Sequence, residues 1–393
     1  MKIYEIGTGY TPIPAKIGAA TEIVAEQLSR AFLKKGVDVE IVDIASKDRH
    51  DIGLKINEVW LPGVFTGTDI KLGIMHKLKR VVYSVSLALK LRKLIKKAED
   101  KVVLHFHNQY NLFFFEKLTG KRLRKRATVA YTNHSGVWRM DWEEIKDTIR
   151  NRYFQEAECM RRADVVCALN PETIENAVNH EGASREHMHL VYNGVNTELY
   201  RPLEDCEKDR FREKYGLTGK RVILQVGSVN ENKGQARSLK TVSELLKKDK
   251  DMVFAFAGGI ISNEYYDEVF TIASSLGVAD QVKYLGMIEP GEELNGLYNI
   301  ADATIISSWF EGFCMAIIES MAAGTPVMID NNSQFSLGEG CVLYNEENSA
   351  EVLEAQLYGT DAGLTLREWA RKNAVAHFSW EKIAQDYLEL FDI

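Results

Sequence analysis

The chain has 393 residues, of which 45% are hydrophobic and 27% are charged, values typical of a globular protein of two or three domains. The first six residues run directly into a predicted strand, so we expect no signal peptide, and no apolar run approaches the roughly 20 residues that span a bilayer. The five cysteines contain no CxxC pair, which favours reduced thiols in the cytoplasm over a disulfide framework or a zinc site.

The formal net charge of −7 is distributed unevenly. Residues 1–200 carry 31 Lys and Arg against 25 Asp and Glu, whereas residues 201–393 carry 18 against 31. The first half is therefore basic and the second half acidic, which predicts different partners for the two halves. We expect the first half to meet an anionic partner. Nucleic acid is not expected, because the protein as a whole is acidic and contains no nucleic-acid-binding motif.

The first half of the chain alternates between predicted strands and helices. Residues 2–7 form a strand, residues 18–35 an amphipathic helix and residues 37–42 the next strand, an order that predicts a parallel sheet. Further strands are predicted at 102–107, 128–132 and 164–169.

A basic helix is predicted between these strands. Residues 71–101 contain ten Lys and Arg and only two acids, and a second basic run follows at 121–126. Charge runs more often form a solvated helix face, but the apolar residues within the first run favour contact with anionic lipid headgroups or a lipid diphosphate. The residues that we assign to this membrane or acceptor contact are Lys90, Arg92, Lys93, Lys96 and Lys97.

Histidines occur where two predicted strands end. Residues 102–107 include His105 and His107, and the strand at 128–132 is followed by His134. Open parallel sheets bind ligands at the carboxyl ends of their strands, so His107 and His134 lie where a binding cleft is expected. One such histidine is more often structural, whereas two at neighbouring strand ends favour a site.

The second half repeats the α/β pattern after a charged boundary segment at 204–220. Strands are predicted at 221–227, 251–259, 282–286 and 303–307, with a helix after Lys233 and Gly234. We therefore predict an α/β fold with two Rossmann-like, doubly wound parallel-sheet domains that face each other across a cleft. The predicted domains are 1–200, completed by a final helix at 379–393, and 201–378.

The segment 307–330 carries two acids, Glu311 and Glu319, on either side of seven residues. It reads as a strand end, a turn, a helix and a new strand, with Glu319 two turns into the helix. Eight helical positions span about 12 Å, so the two carboxylates can hold the two ends of an elongated ligand. Backbone N–H groups after Glu311 suit hydroxyl oxygens or an anion. An ordinary βαβ unit with one capping and one solvated Glu explains the same residues equally well.

These elements together resemble the family 4 glycosyltransferases of the GT-B fold. The resemblance rests on the two successive doubly wound domains, the Glu311–Glu319 element and a final helix after Phe378-Ser379-Trp380. Its other pieces, in the family's order along nearly the whole chain, are Pro14–Ala20, Thr132–His134, Tyr192–Asn196 and Gly227–Gly234.

The resemblance implies a retaining transfer from a nucleoside-diphosphate sugar, with a UDP-sugar favoured over a GDP-sugar and with neither cofactor nor metal. It implies that the donor lies on the second domain and the acceptor on the first. By the same resemblance His134 and Glu311 are catalytic, Glu319 binds the ribose and Lys233 faces the diphosphate. The other donor-binding residues that it implies are Gly18, Gly227, Gly312 and Phe313.

This sequence departs from the family pattern at the diphosphate site. Ser228 stands where the family usually has an arginine, and Ala19 stands where it usually has a second glycine. Serine cannot replace the charged, bidentate guanidinium group. Arg237, one helical turn past Lys233, either substitutes for the missing arginine or is a surface residue.

Three functions fit these observations. The first is a hexosyl- or N-acetylhexosaminyltransferase, cytoplasmic or peripheral on the inner membrane face, that acts on a lipid-linked or membrane-borne glycan precursor for the cell envelope. The second performs the same chemistry on a small soluble acceptor. The third is a noncatalytic nucleotide-sugar binding protein, motivated by Ser228 and Ala19.

Overall fold

The computed structural model describes residues 1–14, 20–65, 74–333, 337, 340–345, 348, 351–352, 354–355 and 360–393. The chain divides into two compact units, one formed by residues 1–194 with 380–393 and the other by residues 195–379. The first boundary therefore falls at residue 194, where the sequence-based division placed it at residue 200. The predicted donor-binding residue Gly18 and its neighbour Ala19 lie outside the described residues.

A parallel sheet organises the first unit. Its described strands are β1 (Lys2–Ile6), β2 (Val39–Ile44), β3 (Ile56–Val59), β4 (Val102–Phe106), β5 (Ala127–Asn133), β6 (Val165–Ala168) and β7 (Met188–Leu190). They pair in the order β3-β2-β1-β4-β5-β6-β7, and each pairing is parallel. The direction of winding reverses between β1 and β4, which is the point where sheets of this kind bind ligands.

Helices connect the strands of this sheet. They are α1 (Ala20–Lys34), α2 (Ile74–Lys97), α3 (Gln109–Leu118), α4 (Lys121–Arg124), α5 (Trp142–Arg152), α6 (Phe154–Arg162) and α7 (Pro171–Glu181). The residues at the two ends of α7 explain its bounds. Asn170 caps the N-terminus by accepting a hydrogen bond from the Thr173 N–H, and Gly182, at φ 70°, ends the helix. Strand β3 and helices α3, α5 and α6 were not predicted from the sequence.

The second unit contains its own parallel sheet. Its described strands are β8 (Arg221–Val226), β9 (Met252–Ala257), β10 (Val282–Tyr284), β11 (Ala303–Ile306), β12 (Val327–Asp330) and β13 (Cys341–Tyr344), in the order β10-β9-β8-β11-β12-β13. Its helices include α8 (Asp205–Lys214), α9 (Gln235–Lys248), α10 (Asn263–Ser275), α11 (Glu292–Ile300), α12 (Met315–Ala322) and α13 (Thr360–Phe378). Two parallel α/β sheets were predicted, and both are confirmed.

The last helix, α14 (Trp380–Leu390), belongs to the first unit. It packs on α1, with the Phe391 and Phe32 ring centroids 6.4 Å apart. Gly194 makes room for Trp380, since a Cβ on this glycine would lie 2.5 Å from the indole ring. In the described part of the chain, no helix is long and apolar enough to cross a membrane.

We expect Phe391→Ala to destabilise the first unit. Phe391 is 2% exposed, so its removal leaves a cavity that costs about 3–5 kcal/mol of unfolding free energy. Thermal and denaturant unfolding followed by circular dichroism measure the loss. Ile393→Ala, at a C-terminal apolar residue that is 42% exposed, is the matched control. Equal stability of the two variants would show that α14 does not complete this core.

Candidate functional site

Two predicted histidines of the first unit lie in direct contact beside a buried acid. Glu5 on β1 pairs in register with His105 on β4, and both residues are fully buried. Glu5 Oε1 lies 2.8 Å from His105 Nδ1, and Glu5 Oε2 lies 2.8 Å from His107 Nε2. His107 Nδ1 in turn lies 3.0 Å from His134 Nε2. The structure therefore brings His107 and His134 together, as their positions at neighbouring strand ends predicted.

The electrostatics of this cluster favour an ionised Glu5 beside neutral His107 and His134 rings. Burial alone would raise the pKa of Glu5, but the His105 ring and the hydrogen bonds from both histidines outweigh burial and hold that pKa below its ordinary value. Burial lowers the pKa of His107, and His105 lowers it further. Burial, together with His107 and His105, holds the pKa of His134 well below its ordinary value. His134 is therefore neutral at pH 7.

The network continues away from His134 to the last helix. His105 Nε2 lies 2.8 Å from Thr132 Oγ1, and Thr132 Oγ1 lies 2.8 Å from the Tyr387 hydroxyl. Sequence reasoning missed Glu5, Thr132 and Tyr387. A signal for Glu5 was present, because an acid inside an otherwise apolar strand needs a buried partner and the alternation of side chains places residues 105 and 107 on one face of β4.

Three of these side chains also have the spacing of metal ligands. One ligand atom each from Glu5, His105 and His107 lies within 4.8 Å of the others. The same three side chains are already joined by two hydrogen bonds of 2.8 Å.

In the second unit, two loops at the carboxyl edge of the sheet join the predicted donor-binding residues. Lys233, in the loop after β8, forms an ion pair with Glu311, in the loop after β11. The Trp309 N–H donates to the Asn232 carbonyl at 3.0 Å, and the Asn232 side-chain amide donates to the Phe310 carbonyl at 2.9 Å. One ion pair and two hydrogen bonds therefore join the two loops at the predicted site.

Charge compensates charge within this loop pair. Burial alone would lower the pKa of Lys233, but the Glu311 carboxylate outweighs burial and raises it. Gly312 and Phe313 follow Glu311 directly and are partly buried before α12 begins. The structure thus places Lys233, Glu311, Gly312 and Phe313 in one neighbourhood.

Glycines allow the strand ends to approach one another. Gly227 adopts φ 151°, and its N–H donates to the Ala257 carbonyl at 2.9 Å. A Cβ on Gly227 would lie 3.3 Å from the Lys233 side chain, and a Cβ on Gly258 would lie only 2.1 Å from the Gly227 carbonyl oxygen. A side chain at Gly258 would therefore force the β8 and β9 ends apart and disturb the loop that carries Lys233.

The position of Glu319 corrects one prediction. Helix α12 begins at Met315, so Glu319 lies one turn into the helix rather than two, and Glu311 lies outside it. The estimate of about 12 Å between the two acids assumed continuous helix from Glu311 to Glu319, which the structure does not show. Glu319 Oε2 accepts from the Tyr298 hydroxyl at 2.9 Å. Burial raises the pKa of Glu319 to about 7, which the Tyr298 and Tyr200 hydroxyls offset only in part.

Arg237 has a structural role that neither sequence-based alternative described. Its guanidinium group donates to the Ser307 carbonyl at 2.5 Å and to the Asn232 carbonyl at 3.2 Å. The guanidinium carbon also lies 3.9 Å from the centroid of the Trp309 ring. Arg237 is therefore partly buried between the two loops, and the prediction of a surface residue is wrong.

The basic residues on α2 fall into two groups. Lys93, Lys96 and Lys97 are exposed, whereas Lys90 and Arg92 are partly buried. Among the residues that the structure describes, no carboxylate forms an ion pair with these five side chains. The same helix also exposes four apolar side chains, Met75, Leu78, Val81 and Leu89. We call these four residues, together with the three exposed lysines, the α2 surface.

The second basic run is partly structural. Arg124 pairs with Glu116 and Asp164, at 2.5 Å and 2.9 Å, and Arg126 donates to the Ala98 carbonyl. These contacts tie α4 to neighbouring elements of the first unit. The run at 121–126 therefore contributes fewer cations to any anionic partner than its sequence suggested.

Family models match most of the chain. Residues 21–199 match the model described as Glycosyltransferase Family 4, and residues 207–336 match the model described as Glycosyl transferases group 1. Together the two segments span more than three quarters of the 393 residues.

Curated proteins of known activity are similar to the chain over part of their length. Mannosylfructose-phosphate synthase of Agrobacterium fabrum is 26% identical over 309 residues, 70% of this chain and 66% of that protein. D-inositol 3-phosphate glycosyltransferase of Corynebacterium diphtheriae is 28% identical over 244 residues, 58% of this chain and 56% of that protein. The match thus spans less than two thirds of either relative.

Solved structures share the fold over the whole chain. The Anabaena protein HepE, crystallised in complex with UDP and glucose, superposes with a TM-score of 0.72 over 100% of this chain and 99% of its own. The sequence identity is 16%, so this likeness shows the GT-B fold alone.

We expect Glu319→Gln to stabilise the second unit at pH 8 but not at pH 5. A raised pKa means that the folded state prefers the neutral acid, so wild-type stability falls as pH rises from the ordinary value of 4.5 through about 7. Glutamine does not titrate, and the gain at pH 8 is at most about 3 kcal/mol.

Thermal unfolding at the two pH values measures the difference. Glu268→Gln, at an exposed acid on α10, is the control variant. The same gain for Glu319→Gln at pH 5 and pH 8 would contradict a carboxyl that titrates near neutrality.

Proposed function

Because this chain belongs to glycosyltransferase family 4, we propose that it transfers a sugar from a nucleoside-diphosphate sugar to an acceptor, with retention and without a metal ion. The single observation that carries the proposal is the contact between the loops that follow β8 and β11 in the second unit. It places a cation, Lys233, against an acid, Glu311, with the Glu319 carboxyl one turn into the helix that follows.

The two acids suit the two sugars of such a donor. Glu319, one turn into α12, accepts hydrogen bonds from the ribose hydroxyls, and it already accepts one from the Tyr298 hydroxyl. Glu311 accepts from hydroxyls of the transferred sugar. Lys233 lies beside Glu311 and faces the diphosphate between the two sugars. Binding therefore exchanges the Lys233–Glu311 pair for one ligand anion and several ligand hydroxyls.

The chain supplies the charge compensation that the reaction needs. Breaking the anomeric bond places negative charge on the departing nucleoside diphosphate, and preorganised donors that meet this charge lower the barrier. Lys233 and the backbone N–H groups of Gly312, Phe313 and the first turn of α12 provide such donors. Retention follows if the acceptor attacks from the face that the diphosphate leaves, with a diphosphate oxygen taking the acceptor proton. UDP is the favoured nucleotide, because HepE binds UDP in the same fold.

The α2 surface supports a membrane-borne acceptor. Exposed lysines beside exposed apolar side chains on one helix suit an anionic lipid surface, to which each basic residue contributes about 1 kcal/mol. We therefore propose a lipid-linked or membrane-borne glycan precursor as acceptor. A small soluble acceptor is the second candidate, which the Corynebacterium relative favours, because its name specifies D-inositol 3-phosphate.

We expect the purified protein to release nucleoside diphosphate from at least one member of a panel of UDP- and GDP-sugars. The panel contains glucose, galactose, mannose and N-acetylglucosamine donors, each tested with and without EDTA and with membrane extract as acceptor source. Turnover that survives EDTA supports the metal-independent reaction. Tight donor binding without turnover would instead identify a noncatalytic nucleotide-sugar binding protein.

Variants localise that activity to the proposed site. Glu311→Ala should lower kcat by about 100-fold with a smaller effect on nucleotide binding, since it removes a contact to the reacting sugar. Glu268→Ala, on the exposed face of α10, is the control. Wild-type turnover in Glu311→Ala would show that the donor sugar lies elsewhere.

We expect the protein to co-sediment with vesicles that contain phosphatidylglycerol and not with pure phosphatidylcholine vesicles. Reversing Lys93, Lys96 and Lys97 to Glu should weaken the vesicle partition coefficient by about 100-fold, since each lysine contributes about 1 kcal/mol. Reversing three lysines of α9, Lys240, Lys247 and Lys248, is the matched control. Unchanged sedimentation of the α2 variant would exclude this surface and favour the soluble acceptor.

A further inference from the structure

The hydrogen-bond network around Glu5 fixes the position of each ring proton. A carboxylate only accepts hydrogen bonds, and a neutral imidazole has one donor and one acceptor nitrogen. Each Glu5 oxygen lies 2.8 Å from a ring nitrogen, so His105 Nδ1 and His107 Nε2 both carry protons and donate. Neutral His107 then has its lone pair on Nδ1. The atom 3.0 Å away, His134 Nε2, must therefore be the donor of that hydrogen bond.

We propose that Glu5 is a positioning residue that holds His134 in the Nε2–H tautomer through His107, leaving His134 Nδ1 as a hydrogen-bond acceptor. Glu5 reaches His134 through one intervening ring. The effect passes through proton positions, because each side chain in the series can donate only if its neighbour accepts.

The other end of the network obeys the same proton count. With a single ring proton, His105 donates from Nδ1 and accepts at Nε2, and the Thr132 hydroxyl 2.8 Å away then donates to it. Thr132 Oγ1 can then accept from the Tyr387 hydroxyl, which lies 2.8 Å away. Every member of the series has a compatible partner in this arrangement. A hydroxyl group can rotate to donate or accept, so the Glu5 carboxylate, which only accepts, sets the direction of every hydrogen bond in the series.

The alternative arrangement charges His107. An imidazolium at His107 would donate to both Glu5 and His134, and His134 would then carry its proton on Nδ1. Burial and the neighbouring His105 lower the pKa of His107, which disfavours that charge.

This inference rests on the proposed function for its chemical consequence. As the Nε2–H tautomer, His134 accepts a hydrogen bond from a hydroxyl of a ligand bound to the first unit. It has no Nδ1 proton to give to a phosphate oxygen, and it carries no charge to offset the diphosphate. His134 therefore orients hydroxyl groups and does not compensate negative charge.

The tautomers can be read without any turnover. In long-range 1H–15N correlation spectra of the ligand-free, 15N-histidine-labelled protein, we expect His134 and His107 to show a protonated Nε2 and an unprotonated Nδ1, and His105 the reverse. The His134→Gln variant assigns the His134 signals. A protonated Nδ1 at His134, or two protonated nitrogens at His107, would overturn the proposal. Because no substrate is present, this result is independent of whether the protein proves to be a glycosyltransferase.

Glu5→Leu tests the positioning role directly. It removes the acceptor from His107 Nε2, so His134 should populate the Nδ1–H tautomer, and kcat should fall by about tenfold or more while the donor KM changes little. Glu156→Leu is the matched control: Glu156 is also a buried acid of the first unit, but its partners, Trp138, Asn133 and Ser135, do not belong to the Glu5–His107–His134 series. A folded Glu5→Leu protein with a wild-type His134 spectrum would contradict the proposal, whatever its activity. If the variant does not fold, the wild-type spectrum still decides.

Discussion

The ion pair between Lys233 and Glu311 is the contact on which the geometry of the second unit's candidate site depends. It joins loops that follow β8 and β11, two neighbouring strands of one sheet. Both side chains are largely buried, so removing either would leave an uncompensated charge. Arg237 secures the same junction, because its guanidinium group donates to carbonyls of both loops and stacks on Trp309. The two loops are thus held in position, so that ligand groups that replace the ion pair meet Lys233 and Glu311 already in place.

The two units solve the problem of buried polar groups in different ways. In the second unit a cation meets an anion, whereas in the first unit the Glu5 carboxylate is satisfied by two histidine rings that each donate one hydrogen bond. The ion pair of the second unit suits an anionic ligand, since Lys233 keeps its charge. The histidine network of the first unit suits hydroxyl ligands, since His134 stays neutral.

The sequence predicted those features that follow from local pattern and from the geometry of parallel sheets. Alternating strand and helix signals were enough for the two sheets, and neighbouring strand ends were enough to bring His107 and His134 together. Short elements with weak patterns were not predicted, such as β3, which has four residues and only one that is buried. Contacts between residues distant in sequence were not predicted either. Glu5 and His107 are 102 positions apart, and Arg237 and Ser307 are 70 apart. Helix α12 began later than predicted because Glu311 and its two successors belong to the turn that meets Lys233.

The presence of an acid, Glu5, in an apolar strand bears on its role. A buried polar network is seldom the most stable way to fill a core, and well-packed apolar side chains of similar volume often do as well or better. Ile3 and Ile6 on the same strand show that β1 accommodates such side chains. What an apolar residue at position 5 cannot supply is a direction for the protons of His105 and His107. The carboxylate costs desolvation energy, and in the proposed arrangement it defines one tautomer at His134, which an apolar side chain cannot do.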